Sequence, residues 1–121
     1  MPRTHVVFYQ EADEFCPVLA WLDSLQPRFR DKCVVRIERL AELGHDLRRP
    51  EADLLRDGIH ELRIRFGHVN YRVLYFFHGR TVAVLVHGLV KEQAVPPRDI
   101  TLAITRKNQF IANPARHTYE E

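Results

Sequence analysis

Residues 58–77, Gly-Ile-His-Glu-Leu-Arg-Ile-Arg-Phe-Gly-His-Val-Asn-Tyr-Arg-Val-Leu-Tyr-Phe-Phe, constrain the fold more than any other stretch of the chain. Two runs rich in β-branched and aromatic residues flank Gly67-His68, and glycine in the first place suits a type II′ turn, so the segment reads as a β-hairpin. A two-residue turn makes Phe66 face Val69 and sets Arg63 opposite Arg72. Guanidiniums on directly opposed positions repel and weaken a sheet. The pair is better accommodated if an anion, phosphate above all, sits over it.

Alternation along the strands sorts the side chains by face. Leu62, Ile64 and Phe66 meet Val69, Tyr71 and Val73 on what should be the core face. Glu61, Arg63 and Arg65 meet Leu74, Arg72 and Asn70 on the other. A next turn at His78-Gly79 sets Arg72 opposite Leu85 and Asn70 opposite His87; a turn at Gly79-Arg80 sets Arg72 opposite His87. Either way one open face gathers Arg63, Arg65, Asn70, Arg72 and His87, with Lys91 in the outgoing loop. Leu74, Phe76 and Leu85 make its rim apolar. Such a face suits a phosphodiester with bases against the rim, or an acidic segment of a partner protein. The bland alternative is a solvated face with ion pairs from Glu61 to Arg63 or Arg72.

At 121 residues the chain is long enough for one domain with its own core, about 5–112 with a tail at 113–121. Its net charge of +2 demands no polyanionic partner, but fifteen arginines stand against three lysines (Lys32, Lys91, Lys107). Arginine suits planar, two-pronged contacts to phosphate or carboxylate. Cys16 and Cys33 lack metal-like spacing and read as buried free thiols of a reducing cytoplasm. No signal peptide is evident, and no apolar run approaches the roughly 20 residues that span a bilayer, so a soluble cytoplasmic protein is expected.

Residues 5–9 form a first strand. A helix starts near Asp13, with Phe15, Leu19, Leu22 and Leu25 at helical spacing. Pro27 opens a second helix striped by Phe29, Cys33, Ile37, Leu40 and Leu43 and stopped by Gly44. Residues 45–57 are a polar connection, and strands follow near 59–66, 69–77 and 81–88, the last apolar on both faces and therefore central. Pro96-Pro97 starts a final helix carrying Ile100, Ala103, Ile104, Lys107 and Ile111, which Asn113-Pro114 ends; 115–121 is a loose tail. The order β-α-α-β-β-β-α predicts an α+β domain with an antiparallel sheet and helices packed mainly on one face.

The histidines show no i,i+4 pair on a helix and no carboxylate cluster, so no metal is expected; no glycine-rich phosphate loop or thiol dyad is present, and no cofactor is expected either.

Gly58-Ile-His-Glu-Leu-Arg-Ile, Tyr71-Arg72-Val-Leu-Tyr75, Val86-His-Gly-Leu-Val-Lys91 and Pro97-Arg-Asp-Ile-Thr-Leu-Ala103 together resemble the phage-derived HigB-like toxins of the RelE/ParE superfamily of type II toxin–antitoxin systems. The resemblance runs over about residues 5–112 and implies the RelE-like fold. It also implies a cytoplasmic mRNA endonuclease acting on the ribosome, inhibiting translation and silenced by a cognate antitoxin, often of helix-turn-helix type. The chemistry implied is metal-free: a ribose 2′-hydroxyl attacks the adjacent phosphate. By the same resemblance Arg63, Arg65, Arg72 and Lys91 would be catalytic; the strand register adds His87 to the catalytic candidates and Asn70 to Arg63, Arg65 and Arg72 as substrate-binding candidates.

Three departures bear on that expectation. The usual Phe-x-Lys-Lys is Leu89-Val90-Lys91-Glu92, and Pro97 stands where RelE itself places a tyrosine. No residue is an obvious general base, which leaves His87, or His117 or Tyr119 if the tail folds back. A gyrase-poisoning, ParE-like toxin and a catalytically inactive, protein-binding relative are the alternatives.

Overall fold

The structure, a computed structural model, describes residues 3–91 and 93–121; the departure at Glu92 lies outside the described residues. The elements are β1 (His5–Tyr9), α1 (Pro17–Ser24), α2 (Pro27–Leu43), β2 (Ala52–Arg56), β3 (Ile59–Phe66), β4 (Val69–His78), β5 (Val82–Lys91), α3 (Pro97–Ala112), α4 (Pro114–His117) and β6 (Thr118–Tyr119). The strands form one six-stranded sheet in the order β2-β3-β4-β5-β1-β6, an α+β architecture compatible with a RelE-like fold. Among the described residues only β1 and β5 pair in parallel.

Apolar side chains fill both faces of this sheet. Val18 and Leu22 of α1 and Cys33, Ile37 and Leu40 of α2 pack on Phe8, Leu62, Ile64, Val73, Tyr75 and Leu85. Ala103 and Phe110 of α3 pack on Val7, Tyr9, Leu74, Phe76, Val84 and Leu89. Two helices thus share one face, and α3 takes the other. Val84, Leu85 and Val86 are buried, as a central strand requires. Burial pushes the Cys33 thiol up to about 11, and both cysteines are free. No helix among the described residues is long and apolar enough to cross a membrane.

Four sequence expectations need correction. The first helix begins at Pro17 rather than near Asp13, because Glu14 sits at φ 72° in a turn closed by Glu11 N–H and Phe15 O; Phe15 is left outside and exposed. Proline takes the first helical position, where its missing N–H costs nothing.

The polar connection holds a strand, β2, antiparallel to β3 with an irregularity between Leu54 and Arg56. An edge strand with one wet face carries polar residues freely, which hid it.

The link from β4 to β5 is longer than a two-residue turn, since His78 pairs with Val82, and a bulge follows at Leu74/Tyr75. Consequently His87 lies opposite Leu74, Leu89 opposite Arg72 and Lys91 opposite Asn70. Leu85 belongs to the α1/α2 face, while Leu74 and Phe76 are covered by α3. The expected apolar rim is therefore core.

The tail is ordered. β6 adds to the edge of β1, and His117 stacks on Tyr9 with centroids 5.3 Å apart.

Candidate functional site

The hairpin register places Arg63 opposite Arg72 and Arg65 opposite Asn70, as the sequence requires. Their repulsion is relieved from within the protein. Oε1 of Glu61, a residue 2% exposed, accepts from Arg63 Nε at 2.6 Å and from Arg72 Nη1 at 2.8 Å. Arg63 also reaches Asp53 of β2 at 3.4 Å. Desolvation raises the Asp53 carboxyl, but hydrogen bonding and charge from Arg49, helped by Leu54 N–H and Arg63, outweigh it and hold it below its ordinary value. Arg72 is 6% exposed, and its Nε is buried without a hydrogen-bond partner. A buried guanidinium N–H left unpaired costs free energy.

The helix α2 completes the site. β2 pairs with β3 as far as Leu62, after which Arg63 N–H donates to Glu51 O at 2.8 Å and the edge of β3 is free. Lys32 Nζ then caps the Arg65 carbonyl at 3.1 Å, and Arg36 Nη1 caps that of Arg63. The spacing explains the match: four residues of helix rise about 6 Å, close to the roughly 6.6 Å between alternate residues of a strand. The result is a cleft of about 500 Å³ lined by Lys32, Arg36, Pro50, Glu51, Arg63, Arg65, Asn70 and Arg72. Arg65, exposed, donates to Gly67 O at 2.7 Å. Among the described residues neither Lys32 nor Arg65 has a carboxylate partner, so these two cations keep their charge for something else.

Arg63, Arg65, Asn70 and Arg72 thus come together as the sequence implies. Lys91 does not line the cleft; it is the last residue of β5, not a loop residue, and extends the row Arg65–Asn70–Lys91 on the same face. His87 stands apart, beneath α3. Arg106 Nη1 lies 3.4 Å from its Nδ1, and Asp99 Oδ1 lies 2.7 Å from its Nε2. Arginine only donates, so Nδ1 is the acceptor and Nε2–H donates to Asp99; both nitrogens are engaged. His117 and Tyr119 do fold back, but onto β1, about 14 Å from β3 at three strand spacings. His117 Nδ1 is held 2.8 Å from Gln10 O. Pro97 is simply the first residue of α3.

Sequence reasoning missed Lys32, Arg36 and Glu51. The basic i,i+4 pair on α2 is visible in the sequence, but the apolar stripe of that helix says nothing about which strand edge the pair will meet. Among the described residues no group of three or more His, Cys, Asp or Glu side chains could hold a metal ion.

Residues 20–108 match the family described as Phage derived protein Gp49-like (DUF891), a stretch that contains every residue lining the cleft. No curated protein matches the chain.

Proposed function

The chain belongs to the phage-derived Gp49-like family, and on that premise we propose that it is the toxin of a type II toxin–antitoxin pair, HigB-like and of the RelE/ParE superfamily, that cuts mRNA on the ribosome. The observation that carries this reading is the cleft, where cations from α2, β3 and β4 converge. Arg63 and Arg72, fixed by Glu61, would meet the scissile phosphate; Arg65 and Lys32 would hold the flanking backbone. The ribose 2′-hydroxyl attacks phosphorus, leaving a cyclic phosphate and a 5′-hydroxyl. Preorganised cations stabilise the charge that builds on the phosphate oxygens, and such stabilisation commonly contributes more to the rate than any other effect. A cognate antitoxin, of helix-turn-helix type in this reading, would silence the protein by covering the same cations.

The test is cleavage of mRNA by purified protein on programmed ribosomes, with Arg65→Ala as the variant. Arg65 is exposed, so its loss should spare the fold while lowering cleavage. Intact mRNA with wild-type protein would sink the reading, and DNA damage on induction would point to a gyrase poison.

One observation favours a second reading, a relative that only binds protein. Arg63 and Arg72 already share Glu61, so a partner's acidic segment need only meet Lys32 and Arg65. Harmless expression without an antitoxin, with a salt-sensitive complex when it is present, would support it.

A further inference from the structure

We propose that Glu51 is the general base of the cleft, the group that takes the proton from the attacking 2′-hydroxyl. The inference rests on reading the cleft as a metal-free ribonuclease site. Such a site needs a proton acceptor, and the arginines cannot supply one, because a guanidinium stays charged at neutral pH. The two histidines that the sequence offers as bases are engaged or distant: His87 has both nitrogens bonded, and His117 is stacked at the opposite edge of the sheet. Glu61 is buried, with one oxygen shared by two guanidiniums.

Among the described residues lining the cleft, Glu51 is the sole carboxylate. Its backbone carbonyl accepts from Arg63 N–H at 2.8 Å, which seats it where the free edge of β3 begins, beside the first arginine of the cluster. Its side chain is 23% exposed, and both its ion pairs use one oxygen: Oε2 lies 2.6 Å from Arg39 Nε and 3.4 Å from Arg36 Nε. One anchored oxygen orients the group and leaves Oε1 to meet a substrate. The charged groups that face it are Arg36 and Arg39 from α2, with Lys32, Arg63, Arg65 and Arg72 around the cleft.

In the step, Oε1 accepts the 2′-hydroxyl proton as the 2′-oxygen bonds to the adjacent phosphorus. The bond from phosphorus to the 5′-oxygen breaks, and that oxygen leaves with the electron pair and takes a proton from solvent. Glu51 then returns its proton to solvent. No water is consumed, and the products are a 2′,3′-cyclic phosphate and a 5′-hydroxyl.

The experiment measures single-turnover cleavage of mRNA on programmed ribosomes as a function of pH for wild type, Glu51→Gln and Glu51→Asp. Thermal unfolding of each variant, and binding of an mRNA carrying a 2′-deoxy sugar at the cut site, are followed alongside. Glu51→Gln should lower the rate by about 10²–10⁴-fold and abolish the fall in rate on the acid side, with binding and unfolding unchanged. Glu51→Asp should keep that acid limb at a reduced rate. A Glu51→Gln protein that cleaves at the wild-type rate with its acid limb intact overturns the assignment and leaves the ribonuclease reading standing. Equal losses of rate and of 2′-deoxy mRNA binding also overturn it, since Glu51 then only shapes the cleft. A wild type that cleaves nothing overturns both.

Discussion

Arg63 and Arg72 stand directly opposite each other on β3 and β4 and donate to the same oxygen, Oε1 of Glu61. The carboxylate is what allows two guanidiniums to occupy opposed positions of a sheet. It also fixes their orientation, which is what a site for a tetrahedral anion needs.

Replacing Glu61 by Gln should therefore destabilise the protein by about 3–5 kcal/mol, because it leaves the buried Arg72 charge uncompensated. Urea unfolding reads this directly. A Glu61→Leu, Arg72→Met double variant should recover most of the loss, since well-packed apolar groups often replace a buried pair without cost. If Glu61→Gln unfolds with the wild type, the clamp contributes nothing.

Arg65→Ala should change unfolding free energy by less than about 0.5 kcal/mol, as exposed positions generally do. Its effect should appear in binding. The salt dependence of affinity for single-stranded RNA should fall by about 0.7 in log–log slope, the amount for one phosphate contact. Anisotropy titrations across a range of KCl concentrations test this, with exposed Arg80→Ala as the control that should leave the slope alone.

Stability should fall on the alkaline side. Burial pushes the Cys33 thiol up to about 11, and burial with the nearby Glu11 pushes the Tyr9 hydroxyl up to about 12. A raised folded-state pKa means the stabilisation is complete below the unfolded value, near 9.0 for the thiol, and is lost as pH climbs through the folded one. Chemical denaturation should thus show the loss beginning near pH 9 and continuing towards pH 11 and above. Cys33→Val should remove the earlier part of the fall; an unchanged profile would place its cause elsewhere.

His117→Ala should cost about 0.5–1.5 kcal/mol through the lost stacking on Tyr9. RNA affinity should not change, because the tail lies at the far edge of the sheet. A loss of affinity in this variant would contradict that placement.

The sequence revealed the hairpin most clearly, because glycine at the turn and strict alternation leave one register for Arg63 and Arg72. The β4–β5 pairing was harder to see. The three-residue turn after His78 moved Leu85 off the cationic face, and the register shift at Leu74/Tyr75 then set His87 on it, beneath α3; neither irregularity has a signature in the apolar runs that flank it. Glu61 was legible as one possible ion-pair partner, but only the fold shows one oxygen serving both arginines. Lys32 and Arg36 were invisible as site residues because nothing local tells a helix which strand edge it will meet. Glu51 lies in a stretch whose polarity suggests mere connection, and its neighbours in space come from α2 and β3.

The capping of the β3 carbonyls by Lys32 and Arg36 has a consequence for solubility. A strand edge with free hydrogen-bonding groups is a template for another chain, and proteins protect such edges with charge or cover. Here the two basic side chains occupy the carbonyls that a foreign strand would bind, so strand addition must first displace them. A chain stripped of both would carry an open flank on its sheet, and self-association would be expected to start there.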